Sequence, residues 1–598
     1  MDKASPNLIP TCPEPPEAAQ QPCLGLRGER GAIEGLIVRR AMFCMPEMCG
    51  RQDSNLRREV TPEPSSWDLD QPSPMDSAAF PLSHSRTKGD IGSDGSPFGC
   101  GPGLDRWFRT FAGHEPQGSP TDSWSWNVRA TLSGPLPCGQ VMEDSPTLSS
   151  EEIERCLDRV PNHSVFLTAD EIDTEARKIA EDHPEVVRIL TPGTTTDGLP
   201  LLALEIGDQE RTALLVGAPH PNEPVGTLTT LFLARQWAEN RRLREESGFR
   251  LVVVPAIDRD GLLLNEGWFK GPFTPMNYAL HYYRPPGNRQ PEWTFPIDCE
   301  GYAFRSPIPE TQAWMRLIDQ YRPSFLYSLH NGDVGELFYY VSRPLDPLCS
   351  SLQEYPRSLG IPLKNTQQPE EPWSGPRFSD GVYEAICTAK GVRFLREHGM
   401  DPPTVISYGA ASWEYAQTAN PGCFSLVSEV PLFTDPRGQD PTETAKTMED
   451  LRVFERERWE DHWSFVLSVI DEVKTTGPIR PGRFEACVAS FQKFVAGRNK
   501  VEGLYDRRKG MTTVGETFQT EVCGGYYLLR TLGLLYRYIQ EQGRPPAVEE
   551  RLLSCVMDRM RERNAPLEQA LAGRNLPLST AVRLQVSAGL STMRALGR

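Results

Sequence analysis

The amino-acid sequence predicts an α/β protein. It has a mixed, largely parallel central sheet flanked by helices, a disordered N-terminal region and a helical C-terminal extension. Three observations carry this reading. From about residue 150, short β-rich runs alternate with helical patterns, the signature of a sheet covered on both faces. Most of the runs are apolar throughout rather than alternating, as strands buried on both sides are. Beyond about residue 475 the apolar residues keep to helical spacing.

The bulk numbers exclude some functions. The chain has 598 residues, enough for several domains, and a net charge of -17, so no basic face for nucleic acid is expected. It contains no apolar run long enough for a membrane span, and Met1-Asp2-Lys3-Ala4-Ser5-Pro6 lacks the apolar core of a signal peptide. The 14 cysteines are irregularly spaced, which fits reduced thiols better than a disulfide framework. The nearest pair, Cys44 and Cys49, has no second ligand pair after it, and zinc needs four ligands. A cytoplasmic protein is expected.

Residues 1 to about 141 are rich in Pro, Gly, Ser and Asp without a sustained period, so they cannot bury enough apolar surface to offset ordering entropy. The run Gly50 to Glu59 resembles translations of spurious reading frames. Met142 is therefore the expected true start, with a genuine disordered tail as the rival reading. A catalytic domain is expected over 142–475 and a helical region over 476–598.

Within the ordered part, Ser150 to Leu157 reads as a helix that starts on a hydroxyl followed by acids. Thr168-Ala169-Asp170-Glu171 is a capping-box pattern that opens a helix to about Asp182. Val186 to Leu190 and Leu201 to Ile206 read as strands separated by turn residues. Ala213 to Gly217 is the next strand, and a helix follows from about Val225 to Asn240. Leu251 to Ile257 is another strand. A long loop from Trp268 to Tyr302 is rich in Pro and aromatics, as binding loops often are. A helix over 309–321, strands over 324–330 and 337–341, a helix over 381–397, a strand over 423–430 and a helical pattern over 441–474 complete the domain. The segment from about 482 is expected to be helical throughout.

Two of the nine histidines stand out. His220 and His330 both end apolar strands, and ligands gather at the carboxyl ends of strands in open α/β sheets. Glu223 follows His220 by three residues. Two imidazoles and a carboxylate are a catalytic zinc set that leaves a fourth position for water. Such a metal polarises a carbonyl and acidifies water. A further carboxylate must then move the proton, and Glu429 qualifies, at the end of an apolar strand where an unpaired charge is costly. His84 and His114 lie in the N-terminal region. His163, His183, His398 and His462 sit among charged or turn residues, and surface positions are expected for them. His281 is expected to be solvated or packed.

Gly217-Ala218-Pro219-His220-Pro221-Asn222-Glu223-Pro224-Val225-Gly226 resembles the first metal motif of the zinc carboxypeptidases related to carboxypeptidase A. Ser328-Leu329-His330-Asn331 is similar to their second motif, and Ser425-Leu426-Val427-Ser428-Glu429-Val430 to their catalytic-glutamate strand. The resemblance covers about residues 165–470. It departs at Asp258-Arg259-Asp260-Gly261, where the family usually has Asn-Pro-Asp-Gly. It implies a zinc carboxypeptidase-like fold, one Zn2+ per chain on His220, Glu223 and His330, and Glu429 as general base. It also implies groups that hold a substrate carboxylate. Asn288 and Arg289 offer the usual Asn-Arg pair, Arg284 is the alternative arginine, and Tyr408 resembles the family's mobile tyrosine. Planar guanidinium suits a carboxylate in either case.

The function so implied is zinc-dependent hydrolysis of a C-terminal peptide bond. Its rivals are an aspartoacylase-like amidohydrolase acting on small N-acyl amino acids and a non-catalytic binding protein on the same scaffold. The intact Glu429 speaks against the last.

Overall fold

Nine strands build the central sheet: β1 Val187–Thr194, β2 Pro200–Ile206, β3 Arg211–Gly217, β4 Phe249–Val254, β5 Phe325–His330, β6 Phe338–Val341, β7 Arg377–Ser379, β8 Val382–Glu384 and β9 Phe424–Glu429. Their spatial order is β1-β2-β4-β3-β5-β9-β6-β8-β7. The computed structural model describes residues 148–365, 372–501 and 509–597. The expectations for residues 1 to about 141 and for Met142 lie outside the described residues.

The four central strands β4, β3, β5 and β9 are mutually parallel. Antiparallel pairings begin at β2 with β4 and at β6 with β9, so the sheet is mixed, as expected. Alternation along the central strands serves two cores. Ala213, Leu215, Tyr327 and Leu329 pack with helix Val225–Glu239 and helix Leu578–Leu596. Leu214, Val216 and Leu326 pack with Trp314 and Leu317 of helix Pro309–Tyr321. Burial on both faces explains why these strands carry no polar alternation.

The structure corrects several element expectations. The segment 381–397 is not one helix. Val382–Glu384 pairs in parallel with Tyr339, Tyr340 and Val341, and the helix starts at Thr388. Glu443–Thr447 is a strand paired with Met511–Thr513, so neither 441–474 nor the C-terminal region is helical throughout. The helix proper begins at Met448, behind a Thr447/Asp450 capping box. The long loop contains helix Pro275–His281 and a small antiparallel pair, Ile297–Cys299 with Tyr302–Phe304. His462 is buried, with Nε2 2.6 Å from Thr531 Oγ1. An interhelical hydroxyl makes burial tolerable for an imidazole that looked solvated.

Two glycines let the site form. A Cβ on Gly226 would lie 2.7 Å from the Leu329 carbonyl oxygen, and one on Gly217 would lie 2.3 Å from that of Pro255. Helix Val225–Glu239 therefore starts directly against the ends of β3 and β5. Between them the chain turns through Ala218 at φ 46, a left-handed conformation that costs roughly 1–2 kcal/mol for a non-glycine residue.

Candidate metal centre

β3 and β5 are neighbours in parallel register, with Gly217 opposite Leu329. The turn after β3 and the last residue of β5 therefore bring His220 and His330 together. Their ring centroids are 4.7 Å apart at 70°. Glu223, at the end of the same turn, places Oε2 3.1 Å from His220 Nδ1 and 2.9 Å from His330 Nδ1. All three residues are buried, and one ligand atom from each lies within 4.8 Å of the others. His330 Nδ1 is buried and makes no hydrogen bond. Its one polar neighbour at short range is the Glu223 carboxylate, so the nitrogen faces the same point as the other two donors. Two imidazole nitrogens and a carboxylate oxygen suit zinc.

Groups behind the donors hold their orientation, as around metal-binding histidines generally. His330 Nε2 is 3.0 Å from Ser328 Oγ, which donates to Glu292 Oε2 at 2.8 Å. The other Glu292 oxygen accepts from the Ser412 amide at 3.1 Å and from its hydroxyl. Asn331 Oδ1 accepts from the Val225 amide at 3.1 Å. It thereby caps a helix whose own N-cap residue, Pro224, has no side-chain cap.

Glu429 ends β9 and is the register partner of His330. Its Oε1 lies 3.8 Å from His330 Nδ1. Arg284 donates from Nη1 to Glu223 Oε1 at 2.7 Å, and its Nη2 is 3.1 Å from His220 Nε2. These five residues line one cavity of about 300 Å³. The other sequence candidates lie outside its wall. Asn288 and Arg289 are exposed in the short turn Gly287–Arg289. The Tyr408 ring packs on Trp293, with centroids 5.4 Å apart.

Residues 172–392 match the family model for zinc carboxypeptidase, Peptidase_M14. Over this stretch, a little over a third of the chain, the protein is similar to the zinc carboxypeptidases. The match contains His220, Glu223, Arg284, Asn288, Arg289 and His330, whereas Tyr408 and Glu429 lie C-terminal to it. Among solved structures, the carboxypeptidase A of Helicoverpa armigera is 15% identical over 48% of this chain and 72% of its own, with a TM-score of 0.30. A metallo-carboxypeptidase from Burkholderia cenocepacia is 16% identical over 44% and 59%, at 0.25. The murein-tripeptide amidase MpaA of Escherichia coli O157 is 14% identical over 45% and 89%, at 0.21. No curated protein matches the chain.

The charges around the candidate centre agree with its donor set. Glu223, Glu292, Asp333 and Glu429 line the cavity against Arg284 and Arg530. Two negative charges are left over before any proton on His330 is counted. Burial and then Arg284 hold His220 down to about 4, so its imidazole is neutral. Burial also disfavours charge on His330, but Glu223, Glu292 and Glu429 outweigh it and raise the group to about 10. Glu223 is held well below the carboxylate range by His220, Arg284 and His330, against the effect of burial. The cluster thus attracts positive charge strongly, from a proton or a metal.

Sequence reasoning missed three cavity residues. Glu292 stands between Pro291 and Trp293, and a lone carboxylate between two apolar residues of a loop is a weak sign of a buried acceptor. Asp333 follows the second metal motif closely. Arg530 is a single cation inside the apolar helical run Tyr526 to Leu535, the clearest signal of the three.

No helix among the described residues is long and apolar enough to cross a membrane.

Proposed function

We propose that the protein is a zinc-dependent hydrolase that removes C-terminal residues from peptides, with one zinc per chain on His220, Glu223 and His330. The reading rests above all on Glu429, whose carboxylate shares the cavity with the triad, 3.8 Å from a ligand nitrogen. Zinc, when bound there, supplies a Lewis acid that polarises the scissile carbonyl and acidifies water. Glu429 takes a proton from the attacking water onto its carboxylate and returns it to the leaving amine nitrogen. Arg284 lies against Glu223 and His220, where its guanidinium meets the negative charge that develops on the carbonyl oxygen. The hydrophobic side of the cavity, with Phe338, Ile386 and Trp413, gives the substrate side chain an apolar surface.

A panel of peptides and N-acyl amino acids, each with free and amidated C-termini, tests the reading alongside metal analysis. A carboxypeptidase cleaves peptides and requires the free carboxylate. Cleavage indifferent to amidation removes that assignment, and preference for small N-acyl amino acids moves it to the amidohydrolase. A never-chelated preparation without zinc removes the premise.

A further inference from the structure

A substrate with a free carboxylate needs a cation away from the metal. The exposed Arg289 does not line the cavity, and Arg284 is engaged with two metal-site residues. The second guanidinium in the wall is Arg530, from helix Gly524–Gln542, far outside the matched stretch 172–392. We propose that Arg530 binds the substrate's terminal carboxylate, so that the C-terminal helical region supplies a specificity-determining residue of the active site. The proposal rests on the carboxypeptidase reading.

Three features prepare Arg530 for this role. Its side chain is only 13% exposed, so what it meets in the cavity is poorly screened. It is held rigidly. Nη1 donates to Asp333 Oδ2, and the guanidinium carbon lies 4.9 Å from the Tyr282 ring centroid and 4.8 Å from that of Tyr527. Stacking and a fixed fork leave little entropy to lose when a carboxylate binds. Finally, the donors are not used up. Nε is buried without a hydrogen-bond partner, and Asp333, which takes Nη1, has its other oxygen occupied by the Tyr278 hydroxyl at 2.6 Å.

The same contacts set the distance between the two ends of a substrate. Tyr278 also accepts from Asn222 Nδ2 at 3.1 Å, and Asn222 sits between the ligands His220 and Glu223. Arg530, Asp333, Tyr278 and Asn222 thus form a continuous polar chain from the C-terminal helix to the metal turn. A carboxylate held at one end is registered against a carbonyl at the other, the condition for productive positioning.

The test compares the zinc-loaded parent, Arg530→Lys and the double variant Arg530→Met/Asp333→Asn, which removes the pair without stranding a buried charge. Calorimetry measures binding of N-acetylphenylalanine against N-acetylphenylalanine amide. Steady-state kinetics use an N-acylated dipeptide ending in phenylalanine and its amide. The parent is expected to prefer the acid by about 100-fold, as for a charged fork meeting its carboxylate. The double variant should reduce that preference to about fivefold or less, with the loss falling on the acid far more than on the amide and with zinc content unchanged. Arg530→Lys should fall between them. An undiminished preference in both variants overturns the assignment of Arg530, as does an equal loss for acid and amide. A parent that does not distinguish acid from amide overturns the carboxypeptidase reading itself and the inference with it.

Discussion

Glu429 and His330 occupy the last rung of one parallel ladder, and the carboxylate of the first lies 3.8 Å from Nδ1 of the second. A strand pairing therefore fixes the spacing between the proposed base and a proposed metal ligand, without help from a loop. In Glu429→Gln the backbone register and the triad remain. Zinc should stay at one per chain while kcat falls by roughly 10²–10⁴, the usual contribution of a positioned general base. Metal analysis and turnover measured on the same sample decide it. Retained turnover would eliminate Glu429 as the base.

The two loop arginines should separate cleanly. Arg284 touches Glu223 and His220, whereas Arg289 is exposed outside the cavity wall. Arg284→Met is expected to lower kcat/KM by about 10²–10³, the loss typical of one transition-state donor. Arg289→Met should change it by less than about threefold. Equal effects would show that the 284–289 loop acts as a unit.

That His220, Glu223, His330 and Glu429 would come together was legible because strand ends are marked twice, by an apolar run and by the polar residue that stops it. His220 and His330 each end such a run, and the parallel pairing of β3 with β5 does the rest. The cations of the cavity wall were harder to place. Arg284 and Arg289 are five residues apart, and only the turn at Gly287–Arg289 decides which faces the cavity. Arg530 was out of reach because its partner Asp333 lies 197 residues away in sequence, and an arginine in an apolar helix does not announce its partner. The strand Val382–Glu384 was missed because three residues are too few for periodicity to show.

Asp258 replaces the asparagine usual in the carboxypeptidase pattern, and it makes stability depend on pH. Burial, with Glu310 and Asp260 nearby, raises its carboxyl to about 8, although the Gly261 amide favours the charged form. The folded chain therefore keeps a proton that the unfolded chain releases between about pH 4 and 8. Stability falls as pH rises through that window, by up to ~1.4 kcal/mol per unit. Asp258→Asn keeps an acceptor for Gly261, 2.9 Å away, and has no proton to lose. Its gain in stability over the parent should grow from pH 5 to pH 8 in denaturant melts. A constant difference would mean that Asp258 is charged in the fold.

Gln585 ties the C-terminal helix to the metal strand. Its Nε2 donates to the His330 carbonyl at 2.8 Å, its Oε1 accepts from Thr229 Oγ1 at 2.6 Å, and its own carbonyl accepts from the Tyr327 hydroxyl at 3.0 Å. The residue is fully buried, so no water replaces its side-chain bonds without rearrangement. Gln585→Ala leaves the His330 carbonyl without this donor, takes the shorter of two acceptors from the Thr229 hydroxyl and opens a void, which together should cost about 2–4 kcal/mol. Because one broken bond is on His330 itself, zinc affinity should fall along with the melting temperature. Gln585→Met, which nearly keeps the volume and removes the donor to His330 without burying a charge, separates the two effects. It should weaken zinc retention against a chelator while restoring the packing that the alanine loses. Zinc retention unaffected by either substitution would show that the helix supports the fold without holding the ligand.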